Sequence, residues 1–260
     1  MSPTLRSVCL MVFGLLLTVS GQIQAVEHTD KSSLSFPLAA EKIVRFSGYD
    51  WIVSDYSGGP GPNVFSKANA WVDSNGYLHL KISKRNGQWY CASVNTIKRF
   101  GLGTYQFKVI GAIDQFDPNT VLGLFNYPTA DVGVDGTHEM DIEIAQWGNP
   151  NNPRGSYTVW PVDNGLSAQS HVYPVKLNGT YTTHRFKRSV KQVYYQSLHG
   201  HQDGNLYQFA SWRYQPQNYQ AAISTKAMPV YMNLWLNLGQ APLDGKAVEV
   251  VISEFKFTPN

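Results

Sequence analysis

The segment Glu139-Met140-Asp141-Ile142-Glu143 carries three carboxyl groups at alternate positions. In an extended strand successive side chains point to opposite faces, so the three acids share one face and the apolar residues share the other. Like charges in register along one face repel one another, and no Lys or Arg lies between these. Only six glutamates occur in the chain, and two of them are here. The pattern favours acid–base chemistry at Glu139, Asp141 and Glu143.

Two carboxyl groups flanking the scissile bond are the usual means of cleaving a glycosidic bond. In the retaining version one is a nucleophile and the other a general acid, held about 5–5.5 Å apart. The Cα atoms of Glu139 and Glu143 would be about 13 Å apart in a straight strand, and side chains leaning together could close much of that gap. Asp141 lies between them. A proton shared among close carboxyl groups raises one pKa, which keeps a general acid protonated near neutral pH.

An acidic strand can also have a purely structural or a metal-binding role. An exposed strand tolerates charge, particularly at the edge of a sheet. Hard cations such as calcium bind clustered carboxylates, but their loops usually carry Gly and closely spaced Asp or Asn, which this apolar-interleaved segment does not. We therefore predict no metal at these acids.

Residues 1–25 have the features of an export signal. Arg6 supplies a positive charge, residues 8–18 are largely apolar, and Gly21 or Ala25 offers a small residue for cleavage. The apolar run is shorter than the roughly 20 residues that span a bilayer. We expect a secreted or periplasmic protein without a membrane anchor, a lead-in at 26–40, and a single domain at 41–260.

Charge and cysteine content exclude some classes of protein. The formal net charge of +3 falls to +2 without Arg6, which gives no reason to expect nucleic acid as a partner. Only Cys91 remains after cleavage, so no disulfide framework forms and stability must come from a core.

Seven Trp and fifteen Tyr suit a β-sandwich core, and they also suit a surface that stacks sugar rings. Trp160 and Trp212 are assigned to the core.

Short apolar or alternating runs separated by Gly, Pro, Asn and Asp predict an all-β chain. The predicted strands are 78–82, 105–109, 121–127, 139–145, 192–197, 230–236 and 248–257. We expect a β-sandwich of two antiparallel, curved sheets, a jelly roll, with a concave substrate cleft on its outer face. If the alternation of the acidic strand continued, Trp147 would lie on the acid side.

The pentapeptide matches the Glu-x-Asp-x-Glu signature of glycoside hydrolase family 16, the concanavalin-like jelly-roll β-glucanases. Its surroundings resemble the family in the right order. Segment 89–105 is similar to the strand pair before the cleft of bacterial lichenases, 121–127 to the following cleft strand, and 232–235 to a late cleft strand. The resemblance spans roughly residues 45–257.

The resemblance implies roles for individual residues. Glu139 would be the nucleophile, Glu143 the acid/base, and Asp141 the residue that tunes and orients the nucleophile. The substrate contacts implied by the resemblance are Phe125, Tyr127, Asn233 and Trp235, to which the strand pattern adds Trp147.

Departures from the family pattern bear on the substrate rather than on the acids. Thr137 replaces a frequent Trp, Ser93 and Asn95 stand where lichenases carry Glu and Arg, and Arg188 replaces another Trp. No cofactor is predicted. A structural calcium is possible but not predicted, since Glu254 stands near the place of its usual Asp.

We expect a glycosidase that cleaves internal bonds of a β-1,3- or mixed β-1,3-1,4-glucan, with a polysaccharide as its partner and a monomeric state. A transglycosylase would use the same acids with a sugar acceptor. A carbohydrate-binding protein on the same fold is an alternative from another class, although such proteins generally lose the acids. A structural envelope protein with an acidic strand is a third.

Overall fold

Two eight-stranded antiparallel sheets dominate the computed structural model, which describes residues 41–260. The predicted signal and lead-in, residues 1–40, lie outside the described residues. Numbered along the chain, the strands of the front sheet are, in spatial order, β1 (Lys42–Phe46), β2 (Tyr49–Val53), β8 (Ala92–Thr96), β17 (Val230–Leu236), β10 (Thr120–Asn126), β11 (Met140–Ile144), β12 (Gly155–Val159) and β13 (Gln169–Tyr173).

The back sheet packs beneath it. Its strands are, in order, β16 (Gln208–Tyr214), β15 (Val193–His199), β14 (Tyr181–Arg188), β9 (Gly103–Ile110), β18 (Val248–Pro259), β6 (Leu78–Arg85) and β5 (Ala70–Val72), with β7 (Gln88–Tyr90) paired to β6. A separate ribbon joins β3 (Tyr56–Gly58) and β4 (Asn63–Phe65). This is the predicted jelly-roll sandwich.

Helical structure is minor in the described part of the chain. It consists of one α-helical turn, α1 (Tyr219–Ala222), and three 3₁₀ turns at Lys67–Asn69, Ile113–Gln115 and Asn237–Gly239. Among residues 41–260, no helix combines the length and the apolar character that crossing a membrane requires.

The alternating segments of the sequence form strands as predicted. The segment 230–236 has the predicted bounds, and β6, β9, β10, β15 and β18 fall within a few residues of theirs. Their inward side chains fill the core: Leu78, Leu80 and Ile82 on β6 are completely buried. Burying apolar surface at about 25 cal/mol per Å² makes this layer the main stabilising contribution.

Hydrogen bonds between the sheets hold β12, the neighbour of the acidic strand. Tyr157 donates its hydroxyl proton to Ser197 Oγ at 2.8 Å, and Tyr195 on the back sheet donates to the carbonyl of Thr158 at 2.7 Å. All four side chains are buried. Since a buried polar group left without a partner costs about 1–3 kcal/mol, these bonds favour one position of β12 over the back sheet.

Arg188, at the position of a family Trp, is completely buried in the core. Its guanidinium donates to the carbonyls of Phe100 and Gly101 and to the Tyr105 hydroxyl. Burial lowers the pKa of Arg188. The Arg188 side chain therefore belongs to the core and does not reach the outer face.

Gly155 begins β12 opposite Ile144 and Tyr173, and a Cβ there would lie 2.3 Å from the Tyr173 ring. We expect Gly155→Ala to cost about 1–3 kcal/mol of unfolding free energy, as overpacking usually does. In thermal melts this corresponds to roughly 2–4 °C for each kcal/mol. Gly101→Ala is the control, because a Cβ there meets nothing within 4 Å. Equal melting temperatures for the two variants would contradict the close packing.

Candidate active site

The acidic strand lies in the middle of the front sheet, with β10 on one side and β12 on the other. Met140, Ile142 and Ile144 are completely buried in the core beneath it. Asp141 is 4% exposed on the opposite face, and Glu143 is partly exposed. Glu139, predicted within the strand, immediately precedes it and is also partly exposed. The acids therefore lie on the outer face, as the alternation predicts.

The strand register places a row of side chains level with Glu143. Across β10, β17 and β8 the partners are Gly123, Asn233 and Ser93 in turn, and Ser156 lies on the other side. Ser93, which the resemblance aligns with a Glu of the lichenases, is therefore part of this face.

A second row lies level with Asp141. Its members are Phe125, Tyr231 and Asn95 on one side and Thr158 on the other. Thr158 exchanges a hydrogen bond of 2.9 Å with Ser170 on β13. The face is thus aromatic on the β10 and β17 side of the acids and rich in hydroxyl groups on the β12 and β13 side.

Trp160 orients the central acid. Its indole Nε1 donates to Asp141 Oδ2 at 2.8 Å, and its backbone N–H donates to the carbonyl of Glu139 at 2.9 Å. Asp141 Oδ1 is buried and makes no regular hydrogen bond within residues 41–260, while the Glu139 carboxyl lies close enough to interact with it directly. The carboxyl groups of Asp141 and Glu139 therefore form an interacting pair.

The acids are electrostatically coupled. Burial, followed by the charges of neighbouring acids, raises the pKa of Glu139 to about 8. Burial and the Glu139 charge raise the pKa of Asp141 well above its usual range, and burial and the Asp141 charge do the same for Glu143. Because the groups interact, they titrate as one coupled unit and not as three independent acids.

Glycine at 123 makes room for the Asn233 amide. A Cβ there would lie 2.4 Å from Asn233 Oδ1. That oxygen is buried without a hydrogen-bond partner among the described residues. Between Asn233 and Glu143 there is thus only a glycine, and the amide offers an acceptor to a bound hydroxyl group.

An aromatic cluster lies beside Glu139 and Asp141. Phe125 stacks on Tyr231 with ring centroids 5.4 Å apart, and Tyr127 meets Tyr231 edge-on at 5.7 Å. Tyr127 donates its hydroxyl proton to Asp135 Oδ1 at 2.7 Å. The cluster includes two predicted binding residues, Phe125 and Tyr127.

Two tryptophans meet at the other end of the face. Trp235 follows Asn233 on the same side of β17 and is 8% exposed, whereas Trp147 is 39% exposed. Their rings lie 6.1 Å apart. The strand ends at Ile144, so Trp147 does not reach the acid side by alternation; it lies in a turn with φ of 55°. The structure thus brings all five predicted binding residues to this face.

Two aromatic residues of the site were missed in the sequence. Trp160 was assigned to the core, but its indole contacts Asp141. The other tryptophan assigned to the core, Trp212, does pack there: it is partly buried and stacks on Tyr195. Tyr231 received no role. Its position two residues before Asn233 was the available signal, because strand alternation places both on one face.

No group of three or more His, Cys, Asp or Glu side chains among residues 41–260 is arranged to hold a metal ion. Glu254, which the resemblance places near a family calcium ligand, forms an ion pair with the Lys108 ammonium at 2.9 Å.

Solved structures show the same fold. The β-glucanase of Bacillus licheniformis superimposes with a TM-score of 0.60 at 17% identity, over 86% of this chain and all of that one. A family 16 protein from the mixed-linkage glucan locus of Bacteroides ovatus, bound to an oligosaccharide product, gives 0.61 at 12%, over 80% and 94%.

A Mycobacterium tuberculosis protein described as a pseudo β-1,3-glucanase gives 0.59 at 17%, over 81% of this chain and 91% of that one. No family model and no curated protein matches the sequence. The chain has the jelly-roll fold of the glycoside hydrolase family 16 β-glucanases, as the sequence resemblance predicts.

The raised pKa of Glu139 predicts pH-dependent stability. The folded state binds a proton that the unfolded state releases between the ordinary carboxyl pKa and about 8, so stability falls as pH rises through this window. Glu139→Gln removes this loss. We expect its melting temperature to exceed the wild-type value by a margin that grows from pH 5 to pH 9.

The exposed Glu41 provides the control, as Glu41→Gln should leave the pH dependence of the melting temperature unchanged. A constant difference between Glu139→Gln and wild type across this pH range would contradict the raised pKa.

Proposed function

We propose that this protein is a retaining glycoside hydrolase that cleaves internal bonds of a β-1,3- or mixed β-1,3-1,4-glucan. The observation that carries the proposal is the set of three acids on the outer face of a β-glucanase fold, electrostatically coupled to one another and each with a raised pKa. Aromatic rings and unpaired polar atoms surround the set, as a polysaccharide requires.

In the first step Glu139, in its carboxylate form, attacks the anomeric carbon and the glycosidic C–O bond breaks. Glu143 donates its proton to the leaving oxygen, so the departing sugar is neutral and Glu143 becomes a carboxylate. Protonated Asp141 donates a hydrogen bond to the Glu139 carboxylate, which lowers the pKa of Glu139 and favours its ionised form. Trp160 keeps Asp141 in place for this task.

In the second step water attacks the same carbon from the side that the first sugar left. Glu143 takes the water proton, the bond to Glu139 breaks, and both acids return to their initial states. Two inversions at one carbon give overall retention of configuration.

The surrounding residues would position the polysaccharide. Phe125, Tyr127 and Tyr231 stack sugar rings on one side of the acids, while Trp147 and Trp235 contact them at the end beyond Glu143. Asn233 Oδ1 accepts a hydrogen bond from a sugar hydroxyl. Export to the periplasm or beyond, expected from residues 1–25, would bring a protein of this kind to polymers that do not enter the cytoplasm.

Product release from soluble β-1,3- and mixed-linkage glucans tests the proposal. We expect Glu139→Ala and Glu143→Ala to lower the rate by at least about 10²–10⁴-fold, the range of general acid–base contributions. Glu41→Ala, in an exposed residue, should keep wild-type activity. NMR of the first products should show the β-anomer, as retention demands.

The opposite results would each lead to a different conclusion. Activity in folded Glu139→Ala would place the nucleophile elsewhere. Products longer than the substrate would make the protein a transglycosylase. Glucan binding without any product from the wild type would favour a carbohydrate-binding protein, and neither binding nor product would refute the saccharide function.

Variants of Asp141 test its hydrogen bond to Glu139 in the pH–rate profile. Asp141→Asn keeps a donor toward Glu139 and an acceptor for Trp160, so we expect the acidic limb to stay in place. Asp141→Ala removes the donor, the pKa of Glu139 rises, and the acidic limb moves to higher pH. An acidic limb at the same pH in Asp141→Ala and in wild type would contradict this coupling.

A further inference from the structure

A cavity of 290 Å³, lined by polar and charged residues, lies on the outer face of the back sheet, opposite the acids. We name it the back-sheet pocket. Two cross-strand rows and one loop line it: Gln196, Arg185, Gln106 and Lys256 in the first row, Tyr194, Lys187, Thr104 and Thr258 in the second, and Asp203 and Asn205 from the loop between β15 and β16.

The floor of the pocket is rigid and built around Arg185. This side chain is 7% exposed and donates to Gln196 Oε1 at 2.9 Å and to Gln106 Oε1 at 3.1 Å. It also donates to the carbonyls of Asp203 and Gly204 and to Asn205 Oδ1. All five of its N–H donors are thereby used, and they fasten the loop that forms the wall.

The rim carries more positive than negative charge. Lys187 and Lys256 are exposed, and neither forms an ion pair with a carboxylate in the described part of the chain. The one acid of the pocket, Asp203, accepts from Gln106 Nε2 and pairs with Lys108 from outside the lining at 3.2 Å. Three cations in the lining against one already paired acid give the pocket a net positive field.

The groups free to contact a ligand include the two ammonium groups and the hydroxyl groups of Tyr194, Thr104 and Thr258. The carboxylate of Asp203 also lies in the lining, and its contacts with Gln106 and Lys108 both use Oδ1. A bare oxyanion would engage the lysines but leave most of the volume and the hydroxyl row unused. The volume is near the lower end of small-molecule sites, about 300–1,000 Å³, and suits a single ring.

We propose that the back-sheet pocket is a second binding site, for a sugar unit that carries a sulfate, phosphate or carboxylate group. The oxyanion lies between Lys187 and Lys256, and the ring hydroxyls meet Tyr194 and the two threonines. The site is independent of the acids on the front sheet, so it does not depend on the proposed hydrolysis.

The test is an NMR titration of the ¹⁵N-labelled protein with glucose 6-sulfate, glucuronate, glucose and inorganic sulfate. We expect the two anionic sugars to shift the amide signals of Thr104, Arg185, Lys187 and Lys256 in a saturable way. Glucose and sulfate should bind at least tenfold more weakly. Higher salt should weaken the anionic sugars, because exposed charges are screened.

The paired variant Lys187→Gln/Lys256→Gln should lower the affinity for glucose 6-sulfate at least tenfold. Lys176→Gln/Lys246→Gln removes the same charge at two exposed lysines elsewhere and should retain wild-type affinity. Equal loss in the two variants would show only a nonspecific response to charge and overturn the proposal. Equal binding of glucose, equal binding of sulfate, or no saturable shifts at these residues would also overturn it.

Discussion

The whole site depends on holding three carboxyl groups on one face of one five-residue strand and its first flanking residue. Partial burial penalises their charged forms, and each charge raises the pKa of the next. Bound protons and the indole N–H of Trp160 relieve this repulsion. Among the described residues, none of the three acids forms an ion pair with a Lys, Arg or His side chain. Acids so close together stay in place only if the strand that carries them cannot move. Here the apolar face of that strand is completely buried in the core.

The two flanks of the acids differ in the chemistry they offer. Toward β10 and β17, the rings of Phe125 and Tyr231 give flat apolar surface to the C–H faces of a sugar. Toward β12 and β13, Ser156, Thr158 and Ser170 give short hydroxyl groups. A polymer lying across the strands would be held by stacking on one side of the cleaved bond and by hydrogen bonds on the other. The two flanks would therefore make different contacts with the two ends of the proposed polysaccharide.

Alternation made the centre of the site predictable and left its surroundings less so. Glu139, Asp141 and Glu143 could be placed on one face because apolar residues separate them. Strands such as β12, buried on both faces, carry no alternation, and none was predicted there. For the same reason Trp160, just after β12, was mistaken for a core residue; its contact with Asp141 depends on the pairing of two strands, which periodicity alone does not determine.

The pairing register of β11 determines which face of the sheet carries the acids. A slip of one residue between β11 and its neighbours would turn the acids inward and Ile142 outward, since side chains alternate with period two. Opposing that slip are the buried hydroxyl bonds from Tyr157 and Tyr195 between the sheets and the contact of Gly155 with the Tyr173 ring. None of these groups lies on the outer face. The position of the acidic strand is therefore maintained from the core side, while Trp160 orients Asp141 on the outer face.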